Sequence, residues 1–550
     1  MLTIILDWTY MLFTCFSMGF FFAWLVEKRL CYTIRRLDSI LISGLIIATV
    51  YAEAFSLFYR VNIEANVVLF TASIVVCVAM RKRMKAFLSE RIKAASWPMR
   101  IVVLLLFFLW SFFASRGYMV PDMDVYHGQS IRWIEEYGVV KGLGNLHCRF
   151  GYNSAIFAVS ALYSLKFLLG RSLHAVNGII AFILSVGALD LKRAFRRRRM
   201  LLSDYARVGA VYYLTTIYDE VIAPSSDYAV MCIVFFIIIK WLVLLEEEDG
   251  QVQNASVPYA LLCVACVYAL TLKLTAGLIL LLTIKPAYML LREKRWKEIG
   301  IFLAMGLMVA VPWMARTVLI TGWLLYPFVG LDLFDVGWKI EEHIVAIDAY
   351  LIRVWAKSAN ALKDTSLKSW VPYWFRTALS STERLLIVAD LGSCAAAVAI
   401  AVSVFIRKNW KQLDYLLVIA AVGCSYLYWQ FNAPMIRYGY AYVLLLAVLV
   451  GGYLLERLKL RKAVYLAFVL YGVYKLHVCW DYVVLFRTWP NYVWSETYET
   501  YEVESYTIEG VTFYYSPFEG PTGYDPFPSA PTQADLEFLG DELKDGFRSR

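Results

Sequence analysis

The sequence predicts an all-α polytopic membrane protein. Three observations carry that expectation. The 550 residues are 60% hydrophobic and only 18% charged, with a mean hydropathy of +0.59, and a water-soluble chain of that make-up would expose too much apolar surface. The apolar residues fall into blocks near the ~20 residues that a helix needs to cross a bilayer. Basic clusters separate alternate blocks, as expected of loops held on the cytoplasmic side.

Taken in order, the predicted spans lie near 2–26, 38–58, 66–80, 100–115, 204–219, 226–245, 257–273, 274–291, 299–320, 385–406, 412–430, 437–455 and 462–480. The first lacks a basic start and a small-residue cleavage site, so it reads as a retained helix rather than a signal peptide. The basic clusters are Lys28–Arg36, Arg81–Arg100, Lys192–Arg199, Arg292–Lys297, Arg407–Lys411 and Arg457–Lys462. Placing all six in the cytoplasm puts the N-terminus outside, together with 116–152, 321–384, 431–436 and everything after about 481. The stretch 153–190 conflicts with this alternation if it crosses twice. One crossing plus a half-helix or re-entrant piece, broken near Gly170-Arg-Ser172, keeps Arg196–Arg199 inside. The expected total is about fourteen crossings.

The net charge of +9 reads as topology signal and contact with anionic membrane lipids, and nucleic acid is not expected as a partner. The ten cysteines show no disulfide pattern. Cys263-Val-Ala-Cys266 lies in an apolar block without a second pair and reads as packing. The organisation is then N-terminal helices over 1–99, a transmembrane core over 100–480 with outer loops 116–152 and 321–384, and an appendage over 481–550. From Asn491 onward that appendage holds twelve acidic and three basic side chains. It alternates β-type residues over Thr507–Ser516, which predicts a small mixed or β-rich unit outside the membrane.

The loop 116–152 contains Pro121-Asp-Met-Asp-Val-Tyr-His127 directly after a predicted span. Charges beside a membrane are costly and mark function. Asp122 and Asp124 suit general base chemistry, or an Asp-x-Asp pair for Mg2+ or Mn2+. The competing reading makes one acid a helix cap. Capping needs one acid only and does not account for His127. From Asp124 to Tyr137 the apolar spacing predicts an amphipathic helix on the membrane surface, with Tyr126, Trp133 and Tyr137 in the aromatic interface belt. Four cations lie at the outer ends of spans, namely Arg149, Lys273, Arg316 and Arg437. They suit a phosphate, although snorkelling is the plain alternative for each. Ser225-Ser-Asp227 opens another span at the same face, either as a cap or as a further acid. The aromatic residues of 321–384 (Trp323, Tyr326, Trp338, Trp355, Trp370, Tyr373 and Trp374) read either as interface anchors or as a platform for sugar or lipid.

These features in this order resemble the GT-C superfamily of glycosyltransferases, and more closely a bacterial family of GT-C-like multi-spanning membrane proteins. The pieces that carry the resemblance are Asp122-Met-Asp-Val-Tyr-His-Gly-Gln-Ser-Ile-Arg-Trp133, Gly142-Leu-Gly-Asn-Leu-His147 and Arg149-Phe-Gly-Tyr-Asn-Ser154. Further on come Ser225-Ser-Asp-Tyr228, Gly322-Trp-Leu-Leu-Tyr-Pro327 with Asp332–Lys339, Asn432-Ala-Pro434 with Arg437, and Leu543-Lys-Asp-Gly-Phe-Arg548. The resemblance runs from about 100 to the end. Three predicted spans precede the acidic loop, where simple GT-C enzymes have one, and Tyr524 and Ser529 stand where relatives would have cysteines. The resemblance implies a bundle of GT-C type in a bacterial cytoplasmic membrane, with its site on the extracytoplasmic side. It also implies inverting transfer of a sugar from a polyprenyl-phosphate donor to a glycan, lipid or protein acceptor. Asp124 or Asp122 would be the base, His127 a holder of the acid or of phosphate, and Arg149, Lys273, Arg316 or Arg437 the phosphate ligands. His147, Asn153 and Asp227 are further candidates within the matching pieces. Some GT-C enzymes need a metal and many do not. A polymerase or ligase using lipid-linked oligosaccharide would rely more on arginines than on a carboxylate pair. A transporter of lipid-linked glycan would place acids and helix breaks at the bilayer midplane.

Overall fold

The computed structural model describes residues 1–116, 120–189, 200–247, 256–358, 366–458, 470–471, 474, 480, 484–489 and 492–550. The predicted span 462–480 and the Lys192–Arg199 cluster fall largely or wholly outside them. The chain is mostly helical with a small strand region at its C-terminal end. The helices are α1 (Leu2–Leu30), α2 (Leu37–Ser56), α3 (Ile63–Ala94), α4 (Trp97–Ser115), α5 (Gly128–Glu136), α6 (Ala155–Leu162), α7 (Val176–Ala188), α8 (Leu202–Leu214) and α9 (Ser226–Glu247). They continue as α10 (Ser256–Leu272), α11 (Ile284–Arg292, after a tighter helical run over Leu274–Thr283), α12 (Trp296–Thr321), α13 (Glu342–Ala356), α14 (Leu367–Thr377), α15 (Ser381–Ile406), α16 (Leu413–Asn432) and α17 (Ile436–Leu458). Among the described residues, nine helical stretches are long and apolar enough to cross a membrane, and three further apolar helices are shorter.

Packing follows the sequence. The helix α9 is buried on all sides, as its unbroken apolar run requires. Helices α1 and α2 approach closely through glycines, since a β-carbon on Gly44 would fall onto the Cys15 carbonyl and one on Gly19 onto the Ile40 carbonyl. Small residues allow such contacts where no hydrophobic force drives helices together. Gly44→Val is therefore expected to lower thermal stability in detergent by about 3 kcal/mol, at the severe end for overpacking. An unchanged melting midpoint would show that the two helices separate freely.

The stretch 153–190 resolves into unequal pieces. Helix α6 is eight residues, about 12 Å long, and cannot span a bilayer. The chain turns back after it, with the Leu173 amide donating to Ser164. Helix α7 then runs from Asn177, which donates to the carbonyls of Ala223 and Ser225, to Gly187 beside the Asp38 carboxylate at the opposite end of the bundle.

The acidic loop forms a helix, but not one lying on a membrane surface. Ile131 and Ile134 pack into the bundle core, while Trp133 packs under the C-terminal strands against Phe527 and Phe547 at 4.9 and 5.9 Å. Trp133 is fully buried and is no interface anchor. The expectation failed because α5 is apolar on two sides, one for the bundle and one for the tail. In the tail, β1 (Glu504–Ile508) pairs antiparallel with β2 (Val511–Tyr515), and β2 pairs parallel with β3 (Ser529–Ala530). A second pair joins β4 (Leu536–Phe538) and β5 (Phe547–Ser549). The tail is fixed to one end of the bundle through backbone bonds from Leu2 to Tyr492, Glu496 to Ser115 and Phe547 to Lys141. The aromatic loop is likewise largely internal. Trp323, Trp370 and Trp374 are buried, and Trp374 donates to the Pro434 carbonyl. Among them they offer no sugar platform, whereas Trp355 on α13 is exposed.

Candidate functional site

Five charged side chains from five separate segments meet at the tail end of the bundle. Asp122 accepts from Arg437 and lies 3.7 Å from Arg149. Arg437 also faces Asp227 at 3.4 Å, and Asp227 accepts from Lys273. The order Arg149, Asp122, Arg437, Asp227, Lys273 alternates in sign and sums to +1. Rings of Tyr126 and Tyr438 back it, with the Lys273 ammonium 3.7 Å from the Tyr438 centroid and the Arg149 guanidinium 5.9 Å from that of Tyr126. Asp227 is nearly enclosed, while the other four side chains are between 20% and 33% exposed. The cluster is therefore open to a ligand without being freely solvated.

Local structure places each member. Pro121 is followed by a wide helical turn over Met123–His127, closed by the Gly128 amide donating to the Met123 carbonyl. Such turns often accompany functional sites. Arg149 lies in the short helical turn Cys148–Gly151, whose preceding residue His147 accepts the Arg149 amide through Nδ1 at 3.3 Å. His147 thus positions Arg149, and burial pushes its imidazole down to about 4. Asp227 follows Ser225, whose hydroxyl accepts the Asp227 amide at 3.3 Å. Lys273 occupies the extended residue between α10 and the tighter run that follows. Arg437 is the second residue of α17.

The two acids of the Asp-x-Asp diverge. Two residues along a helical turn lie about half a turn apart, so Asp122 and Asp124 face opposite ways. Asp122 is pushed up by burial, but the Arg437 and Arg149 guanidinium groups hold it below its usual value. Asp124 turns toward the tail. Its Oδ2 accepts from the Tyr501 hydroxyl at 3.0 Å, and its backbone carbonyl accepts from the Thr522 and Gly523 amides at 3.0 and 2.9 Å. Its Oδ1 has no hydrogen-bond partner among the described residues. Burial pushes its carboxyl up to about 6, with the Tyr501 hydrogen bond opposing and Glu499 adding. The pair does not fit an Mg2+ or Mn2+ ion bridging the two carboxylates, because each is committed to a different partner. Among the described residues no cluster of three or more His, Cys, Asp or Glu forms elsewhere.

His127 lies beneath the cluster, in ring contact with Tyr126 and Phe157. Its Nδ1 has no partner among the described residues. Burial lowers its pKa to about 4, with Arg437 and Lys273 adding to that and Asp122 and Asp227 opposing. It is a neutral hydrogen-bonding group at pH 7, not a cation. Arg316 and Asn153 lie apart from the cluster. Arg316 donates to Asn153 Oδ1 at 3.0 Å and to Ser56, and Asn153 donates to Thr317 and to the Trp313 carbonyl. Arg316 is 2% exposed and its guanidinium joins α12 to Ser56 of α2 and to Asn153.

Sequence reasoning missed Tyr126 and Tyr438 as the walls of the cluster, though both sit beside residues it selected. It also missed the tail dock. Gln129 Nε2 donates to the carbonyls of Gly523, Tyr524 and Pro526. The buried Glu135 accepts from Ser172 and Tyr524, and His174 meets the Tyr498 hydroxyl at 2.5 Å.

Docking of this tail should respond to pH. In the docked state Asp124 holds its proton up to about pH 6, against an ordinary value of 3.8. Through Asp124 docking therefore tightens as pH falls, by about tenfold from pH 7 to 5, while the Met1 amino group, which meets the Trp494 carbonyl of the tail and is pushed down to about 6 by burial, opposes it over the same range. Glu135 is pushed up by burial but held below its ordinary 4.5 by His174, Tyr524 and Lys166, so it opposes docking only at lower pH. Limited proteolysis of the tail, with the protease calibrated at each pH, should show an extra protection of wild type over Asp124→Asn that grows from pH 7 to 5. An equal slope in the two proteins would assign the dependence elsewhere.

No curated protein and no solved structure matches the chain. A family model described as Domain of unknown function (DUF8201) matches residues 1–444, taking in the N-terminal helices, the charged cluster and the start of α17, and the chain belongs to that family.

Proposed function

We propose that the protein is a membrane glycosyltransferase of GT-C type, with about fourteen crossings in a bacterial cytoplasmic membrane. It transfers a sugar from a polyprenyl-phosphate donor to a cell-envelope glycan, lipid or protein on the extracytoplasmic face. The observation that carries this reading is the partly open cluster of Arg149, Arg437 and Lys273 around Asp122 and Asp227. Three cations at a bundle end suit a lipid phosphate at the membrane boundary, and arginine suits its paired oxygens.

The cluster also supplies a base. Asp122 is a weak base while two guanidinium groups hold it. A donor phosphate competes for the same guanidinium groups. As they turn to the phosphate, burial is left as the main influence on Asp122 and its basicity rises. Asp122 then takes the proton of an acceptor hydroxyl, the hydroxyl oxygen bonds to the anomeric carbon, and the bond from that carbon to the phosphate oxygen breaks. The electron pair leaves with the lipid phosphate, where Arg149, Arg437 and Lys273 stabilise its charge. Neutral His127 holds the floor of the site. Attack opposite the leaving phosphate inverts the anomeric centre.

The test offers labelled polyprenyl-phosphate sugars and native glycolipid to membranes bearing wild type or Asp122→Asn. Label moving with wild type alone supports the reading and identifies the donor. Absence of transfer from every donor, with both proteins folded, sinks it.

A further inference from the structure

At the other end of the bundle, α1 and α3 leave a groove of about 640 Å³, within the size range of ligand pockets. Phe13, Phe16, Met84 and Leu88 line its apolar part, and Arg81, Lys85 and Lys93 its rim. We propose that this groove binds an anionic phospholipid, with an acyl chain along the aromatic wall and the headgroup phosphate on Arg81 and Lys85.

Position, charge and exposure support this. Helix α3 begins at Ile63 and reaches Arg81 eighteen residues later, about 27 Å along its axis. A hydrocarbon core is about 30 Å thick, so Arg81 and Lys85, one turn further on, fall at the headgroup level opposite the charged cluster, and Lys93 lies about 18 Å past Arg81 along the axis. The helix flank between these points is lipid-like, with Val67, Val68, Phe70, Ile74, Val75 and Val78 all exposed. The acids nearby are already engaged, Glu27 with Arg83 at 3.9 Å and Glu90 with Arg91 at 2.6 Å. Arg81, Lys85 and Lys93 have no carboxylate partner among the described residues. An apolar groove rimmed by three uncompensated cations is complementary to an anionic amphiphile, and basic pockets between helices on the cytoplasmic side recognise such headgroups. A zwitterionic lipid would leave the rim's charge unbalanced. A free phosphate would leave the apolar wall uncovered.

This site is independent of the transferase reading, because its readout is lipid retention rather than activity. The full chain in detergent would be titrated with phosphatidylglycerol or phosphatidylcholine, and bound lipid counted by native mass spectrometry. Wild type is expected to retain phosphatidylglycerol and release phosphatidylcholine. The double variant Arg81→Gln, Lys85→Gln should bind phosphatidylglycerol roughly thirtyfold more weakly, the combined effect of two interfacial cations. It leaves Lys82 and Arg83 to maintain the topology signal. Leu88→Trp, which fills the groove and keeps every charge, should also lose the lipid. Equal retention of both lipids by wild type, or undiminished retention in either variant, overturns the proposal. Displacement of the lipid by inorganic phosphate alone would assign the rim to a free anion and overturn it as well.

Discussion

Asp122→Asn is expected to reduce sugar transfer by about 10²–10⁴-fold, the range for loss of a general base, while the protein still folds. Asparagine keeps the shape and one hydrogen-bond acceptor for Arg437, and Arg437 retains Asp227 at 3.4 Å. Arg149 is one-third exposed, so water compensates it, and exposed ion pairs add little to stability. The kinetic signature should be asymmetric. Asp122 competes with the donor phosphate for the guanidinium groups, so removing its charge should leave donor KM unchanged or lower while kcat collapses. Asp124→Asn provides the contrast. That carboxylate faces Tyr501 and the tail, and its loss should alter tail docking while leaving most transfer intact. The reverse result, with Asp124→Asn inactive and Asp122→Asn active, would make Asp124 the base.

Why these two acids were not separable from sequence is a matter of register. An i, i+2 pair points one way in extended chain and opposite ways in a helical turn. Pro121 allows either. The wide turn over Met123–His127 is closed by bonds that only the folded loop reveals. The five members of the cluster were legible, because charged residues at the ends of apolar runs are rare and costly. The same signal selected Arg316, which lies apart from the cluster and bonds to Asn153 and Ser56. Both Arg316 and Arg437 are arginines near the end of an apolar run, but the face of α12 that carries Arg316 turns into the bundle. The tail was legible as a strand-rich appendage. Its docking was not, because Gln129 meets Tyr524 and Asp124 meets Tyr501 across almost four hundred residues, and no local pattern encodes such a pairing. The double burial of α5 has the same origin, since its second apolar side faces strands that come hundreds of residues later.

Arg316 provides the largest expected effect on stability. It is 2% exposed, and its charge is the cation that acts on Glu53. Glu53 is itself buried on α2, and neither of its carboxylate oxygens has a hydrogen-bond partner among the described residues. Arg316→Met leaves the buried Asn153 Oδ1 and Ser56 hydroxyl without their donor, at a cost of about 1–3 kcal/mol for each orphaned group, and removes the one cation that acts on Glu53. The substitution should therefore lower the detergent melting midpoint sharply. Glu53→Gln added to Arg316→Met should recover part of the loss, because the acid left buried without its cation is then a neutral amide and coupled neighbours do not add. The pair of variants separates two roles for this residue. A phosphate ligand would lose donor affinity with little change in melting, and Glu53→Gln would not restore it. A helix-joining residue loses stability first, regains it in the double variant, and shows transfer in proportion to the folded protein that remains.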